Sequence, residues 1–146
     1  MLGHMTTWLW LPLALGSAAF AALVAIFGKM GLSGVSSVAA TTARAAVMFA
    51  TMLAVALATG TVREATALRG RPLLFTVLAG VAGALSWLCY FLALKTGKAG
   101  AVSAIDRLSV VMTIGLAALF LGERLTAQAA IGAVLIAFGA VLVAWA

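Results

Sequence analysis

Blocks of about 20 apolar residues, separated only by short polar turns, recur along the whole chain. As a helix with a rise of 1.5 Å per residue, each block is long enough to cross a hydrocarbon core of about 30 Å. Only 8% of the 146 residues are charged, against about 25% in a typical soluble protein. The turns leave no room for a water-soluble domain. The sequence therefore predicts an all-α, polytopic integral membrane protein.

The pattern predicts five transmembrane helices in a single domain, because turns containing glycine, serine or charged residues interrupt the apolar sequence at four places. The predicted spans are residues 8–28, 38–59, 73–94, 101–121 and 127–145. Trp8 and Trp10 are expected to lie at a bilayer interface. The first block carries no Lys or Arg before it, so we expect a span there and not a cleaved secretory signal.

The composition also excludes several classes of function. The net charge of +6 comes from nine Lys and Arg residues that are scattered over turns and helix ends, which favours contact with anionic lipid headgroups over nucleic acid. Cys89 is the only cysteine, so an intrachain disulfide and a multi-cysteine metal site are excluded. The sequence contains no nucleophile elbow, phosphate-binding glycine loop or metal-spaced cluster, and it predicts neither an enzyme nor a cofactor.

The basic residues give almost no orientation bias. One side of the membrane is predicted to carry four of them in its loops and the other side three: Arg63, Arg69, Arg71 and Arg124, against Lys29, Lys95 and Lys98. Arg44 and Arg107 lie nearer the second side. Two interpretations remain open: one dominant orientation with the N-terminus inside, or dual insertion as an antiparallel homodimer, which would reproduce the inverted repeat of many transporters.

Three charged residues, Arg44, Asp106 and Arg107, fall inside predicted spans, where a charge is costly unless it is paired or hydrated. Helical spacing gives two polar stripes: Ser103, Asp106, Ser109 and Thr113 on the fourth span, and Thr41, Arg44, Met48 and Thr51 on the second. Because each stripe carries one charge and the two charges are opposite, we expect a shared hydrated cavity.

The candidate substrate-binding residues are Arg44, Asp106, Ser109, Thr113, Trp87 and Tyr90. Arg44 is expected to hold a carboxylate through its guanidinium fork, Asp106 to bind a proton or a cationic group, and the two aromatic rings to form apolar walls. A structural alternative stays open for the charged and the aromatic residues, and Arg44 would then be a purely structural partner. Asp106 and Arg107 would then sit at the start of the fourth helix, favoured by its dipole and by snorkelling, and the aromatic rings would be core packing.

The stretch WLCYFLALKTGKAGAVSAIDRLSVVMTIGLAALFLGERLT resembles an EamA domain of the drug/metabolite transporter superfamily. Its Gly-Glu-Arg-Leu-Thr ending is the most specific element, FGKMGL near the end of the first span is also similar, and the resemblance covers the chain as one unit. Most members carry two such units of inverted topology around a central cavity. The chain is similar to the short five-helix bacterial and archaeal branch, which implies a homodimer. Many relatives have a proline where this chain has Ser103 and Ala104.

These observations lead to one main hypothesis: a secondary transporter, exporting a small polar or zwitterionic, amino-acid-like metabolite by alternating access, in the bacterial or archaeal cell (inner) membrane. Two alternatives stay open. One is a structural or accessory membrane subunit without transport of its own. The other is a drug/proton antiporter like the small multidrug-resistance proteins. Those relatives place their essential carboxylate in the first helix, and the first span here contains none.

Overall fold

The computed structural model describes residues 9–146, and every regular element in that range is a helix. The helices are α1 (Trp10–Gly31), α2 (Ser37–Thr59), α3 (Val62–Thr66), α4 (Gly70–Thr96), α5 (Ala99–Asp106), α6 (Leu108–Phe120) and α7 (Ala127–Ala144). Five segments are long and apolar enough to cross a membrane: α1, α2, α4, α5 with α6, and α7. The predicted all-α class and the five spans are confirmed. The predicted role of Trp8 lies outside the described residues.

The helix ends of the second span are set by local capping. The side chain of Ser36 accepts a hydrogen bond from the backbone N–H of Ala39 at 3.1 Å, which satisfies a donor in the first turn of α2. At the other end Gly60 has a φ of 73°, a left-handed conformation that glycine adopts without steric cost. The charged turn after it contains the short helix α3, which the sequence pattern does not reveal.

The Gly-Glu-Arg-Leu-Thr motif ends one helix and begins the next. Gly122 has a φ of 67°, which α-helix cannot continue through. The backbone N–H of Glu123 donates a hydrogen bond to the carbonyl of Ala117 at 3.3 Å. Thr126 then caps α7, because its hydroxyl accepts a hydrogen bond from the backbone N–H of Ala129 at 3.2 Å. The most recognisable motif in the sequence is therefore a helix stop followed by a helix start.

The fourth span is interrupted at Arg107, where α5 ends and α6 begins. The backbone N–H of Arg107 bonds the carbonyl of Ala104 at 3.1 Å, and the N–H of Val110 bonds the carbonyl of Arg107 at 3.0 Å. Both bonds join residues three apart, the spacing of a 3₁₀ turn. The interruption needs no proline. It divides a segment for which the sequence pattern predicts one continuous helix.

The chain forms two compact units, which we call the terminal unit (Met1–Met30 with Thr96–Ala146) and the central unit (Gly31–Lys95). In the terminal unit α5 and α6 pack against α7, and the small side chains of Ala133 and Ala140 are buried. In the central unit Phe91 and Leu94 of α4 are buried, and Leu94 is fully inaccessible. Most large apolar side chains of the spans are exposed, as a lipid-facing surface requires.

Candidate functional site

Arg44 lies against the face of an aromatic ring. Its guanidinium carbon is 3.5 Å from the centroid of the Trp87 ring and 5.8 Å from that of Phe91. A guanidinium within about 6 Å of a ring centroid is attracted by the negative π face, and Trp is the strongest of the aromatic partners. The Arg44 side chain is half-buried. Its charge inside the second span is thus stabilised by a neighbour on α4.

Trp87 belongs to an aromatic cluster with Tyr90 and Phe91, which share one face of α4 because they are three and four residues beyond it. The Trp87 and Tyr90 ring centroids are 5.5 Å apart in an edge-to-face arrangement, and those of Trp87 and Phe91 are 6.2 Å apart. Phe91 is only 4% exposed. The ring under Arg44 is therefore held in place by its own neighbours.

A hydrogen bond between α2 and α4 supports this arrangement. The buried hydroxyl of Ser37 donates to the backbone carbonyl of Phe91 at 3.4 Å. Ser37 lies about two helical turns before Arg44, so both project from the same side of α2. The bond thus fixes the start of α2 against the same part of α4 that carries the aromatic cluster.

No residue of the central unit can neutralise Arg44. Glu64 is the only acidic residue in Gly31–Lys95, and it follows the end of α2. At 1.5 Å per residue, the end of α2 at Thr59 lies about 22 Å along the helix from Arg44. The guanidinium therefore combines a π-stacked face with N–H donors on its edge, a geometry suited to a carboxylate or another planar anion.

The second group of candidate residues lies at the interrupted fourth span. Asp106 is the last residue of α5 and is half-buried, whereas Ser109 and Thr113 are on α6 and exposed. The predicted polar stripe is thus divided between two helices. The carboxylate lies at the α5 terminus, next to the tightened turn at Arg107.

Threonine hydroxyls in both stripes hydrogen-bond within their own helix. Thr113 donates to the carbonyl of Ser109 at 2.7 Å, Thr41 to that of Ser37 at 2.7 Å, and Thr51 to that of Val47 at 2.8 Å. This bonding to the preceding turn is a common way for a helix to accommodate a polar side chain.

The structure thus brings together three of the six predicted residues in the central unit, Arg44, Trp87 and Tyr90, and keeps Asp106, Ser109 and Thr113 in the terminal unit. The cavity expected to be shared by Arg44 and Asp106 would need residues of both units, and it stays a prediction. Sequence reasoning missed Phe91, although its position four residues after Trp87 was a usable signal.

Lys29 lies in the last turn of α1. Its ammonium group donates to the backbone carbonyl of Gly97 at 2.8 Å. The contact joins the end of α1 to the turn that precedes α5.

Comparison with known proteins agrees with this architecture. The model of the EamA-like transporter family matches residues 8–145. The chain belongs to this family. A relative from Sinorhizobium sp, described as "Uncharacterized transporter in cobO 3'region", is 44% identical over 135 residues, which cover 92% of this chain and 96% of that protein. No solved structure matches the chain.

Family membership confirms the resemblance seen in the Gly-Glu-Arg-Leu-Thr motif and identifies an EamA-like, multi-pass membrane protein. The family and the name of the Sinorhizobium relative both point to a transporter, not an enzyme.

Proposed function

We propose that this EamA-like protein is a secondary transporter that exports a small polar or zwitterionic, amino-acid-like metabolite from a bacterial or archaeal cell. It works by alternating access as a homodimer in the cell (inner) membrane. The observation that carries the proposal is the Arg44 guanidinium stacked on Trp87 inside a membrane span. A charge at this depth is expensive to keep, and within its own unit it has no acidic partner.

The stacked arginine is suited to one end of an amino acid. Trp87 covers one face of the Arg44 guanidinium. The guanidinium N–H groups point outward in the guanidinium plane, where a carboxylate accepts two parallel hydrogen bonds. The aromatic cluster holds this fork in one orientation, so less conformational entropy is lost when the anion binds.

Asp106 provides the complementary group for the other end of a zwitterion. An acidic residue within a span typically faces a bundle interior or a hydrated pathway. With Ser109 and Thr113 beside it on the stripe, it would receive an ammonium group or a proton. In an antiparallel homodimer, two copies would supply the inverted repeats between which such sites form. Tag accessibility at both termini, on both sides of the membrane, tests this orientation.

The function is tested by efflux from proteoliposomes loaded with a panel of labelled amino acids, with and without a proton gradient. Each amino acid is paired with the amine that lacks its carboxylate. We expect Arg44→Gln to lower the initial rate for the amino acids about tenfold or more, because a hydrogen bond to a charged group is worth about 1.5–3 kcal/mol. The decarboxylated amines should be affected less. Arg124→Gln, a change at a helix end, is the matched control and should transport like the wild type.

Equal efflux by Arg44→Gln and the wild type, with equal yields of folded protein, would contradict a carboxylate site at Arg44. If wild-type protein moves no amino acid under any gradient, while Arg44→Gln and Asp106→Asn reduce only the folded yield, the accessory-subunit alternative is favoured.

A further inference from the structure

A groove of about 570 Å³ lies within the terminal unit, between α1 and α5. Its volume is within the range of about 300–1,000 Å³ that is usual for small-molecule sites. Four alanines and Ile26 of α1 form one wall, and small residues of α5 form the other. Arg107 is the one charged residue among those that line it. None of the six candidate substrate-binding residues lines this groove.

Arg107 is placed to reach back toward the membrane surface. It lies eight residues after Ala99, the first residue of α5, which is about 12 Å along the helix axis. Side chains on a helix tilt toward its N-terminus, here the end at which Lys98 precedes α5. The residues of α5 that line the groove between Arg107 and that end are Ala99, Gly100, Ser103 and Ala104, and none of them is bulky. The guanidinium thus has an open route to the interface.

Positive charge is confined to the α5 side of the groove, and the α1 side is apolar. Lys98 is exposed beside the start of α5, and Arg107 is exposed on the groove wall. Asp106 is adjacent to Arg107 in sequence but lies about 100° around the helix axis, and it is not among the residues that line the groove. A ligand group that binds on this side of the groove is therefore expected to be negatively charged.

A molecule that combines one anionic group with a long apolar chain matches both features. We propose that the groove binds an anionic phospholipid, with the phosphate on Arg107 and Lys98 and an acyl chain along the alanines of α1. Basic pockets between transmembrane helices are a known kind of site for anionic headgroups. The lipid would contact α1 and α5 together, next to the Lys29–Gly97 hydrogen bond that already joins their ends. This site does not depend on the transported molecule.

The test uses the full chain purified in detergent, with native mass spectrometry after addition of phosphatidylglycerol or phosphatidylcholine of identical acyl chains. We expect the wild type to retain the anionic lipid with a preference of about fivefold or more, because one basic residue near the surface contributes about that factor. Arg107→Gln should lower the preference about fivefold, because Lys98 remains, whereas Arg107→Lys should keep most of it, since phosphate also binds a point charge.

A second variant blocks the groove without removing charge. A Cβ atom at Gly100 would meet no atom within 4 Å, so Gly100→Leu fills the groove and is expected to reduce retention of both lipids. Gly115→Leu is the matched control, because Gly115 on α6 is equally open and does not line the groove. It should retain lipid like the wild type.

Four results would overturn the proposal. The first is equal retention of the two lipids by the wild type. The second is unchanged phosphatidylglycerol retention in both Arg107→Gln and Gly100→Leu. The third is displacement of the lipid by inorganic phosphate alone at constant ionic strength, which would indicate a soluble anion. The fourth is loss of a dimer in Gly100→Leu irrespective of added lipid, which would make the groove a contact between two copies.

Discussion

Arg44 and Arg107 are the same residue type at similar depths in their spans, but their surroundings differ. Arg44 lies seven residues after the start of α2 and Arg107 eight after the start of α5, so both are roughly 10–12 Å along their helices. Arg44 is half-buried with its guanidinium on Trp87. Arg107 is exposed in a groove lined mostly by alanine, glycine and serine.

The difference separates two uses of a charge in the membrane. A guanidinium held flat on an indole ring has few orientations and binds an anion through a defined fork. A guanidinium among small side chains keeps its rotamers and acts as a mobile positive charge. The two arginines lie at about the same depth in their spans, so depth alone does not distinguish these uses.

The largest expected effect comes from replacing Arg44 with lysine, and the same replacement at Arg107 is the comparison. Arg44→Lys should lower the initial efflux rate about tenfold, because lysine keeps the charge but loses both the planar stack and the bidentate fork. Arg107→Lys should leave efflux unchanged. Both variants are measured in the same proteoliposomes at equal folded protein. Equal losses in the two variants would remove the distinction between these arginines.

An intermediate effect is expected from Trp87→Leu, which removes the π face beneath Arg44 and leaves an apolar side chain. A cation–π contact of a guanidinium that is still partly exposed is worth about 0.5–1 kcal/mol, so the KM for the transported amino acid should rise by roughly 2- to 5-fold. Trp145→Leu is the control, since Trp145 is 85% exposed at the end of α7. If Trp87→Leu leaves KM unchanged, stacking does not position the guanidinium.

The smallest effect is expected from Ser37→Ala, which removes the hydrogen bond to the carbonyl of Phe91. The free energy of unfolding should fall by about 0.5–1.5 kcal/mol, measured by reversible denaturation in mixed micelles. Ser33→Ala changes an exposed serine in the preceding turn and should have little effect. A comparable loss in Ser33→Ala would mean that the Ser37 bond does not stabilise the contact between α2 and α4.

The spans could be predicted from the sequence because composition decides whether a segment of 20 residues enters the bilayer. The interruption at Arg107 could not, since it depends on two hydrogen bonds of three-residue spacing with no proline to mark it. The sequence predicts Trp87 as an apolar wall, but the contact of Trp87 with Arg44 depends on how α2 and α4 pack. Helical periodicity predicts the polar stripes. It does not predict the acceptor to which each hydroxyl donates its proton.

The hydroxyls of Thr41, Thr51 and Thr113 each donate a hydrogen bond within their own helix. At these positions the stripes therefore offer hydrogen-bond acceptors and no donors. Because each hydroxyl proton is donated to a backbone carbonyl, only the oxygen lone pairs remain for a hydrogen bond to another group. These lone pairs attract N–H and O–H groups and repel the oxygens of a carboxylate. Under the proposed function, an ammonium group could be accepted by threonine oxygens on either stripe, whereas a carboxylate would need the guanidinium of Arg44.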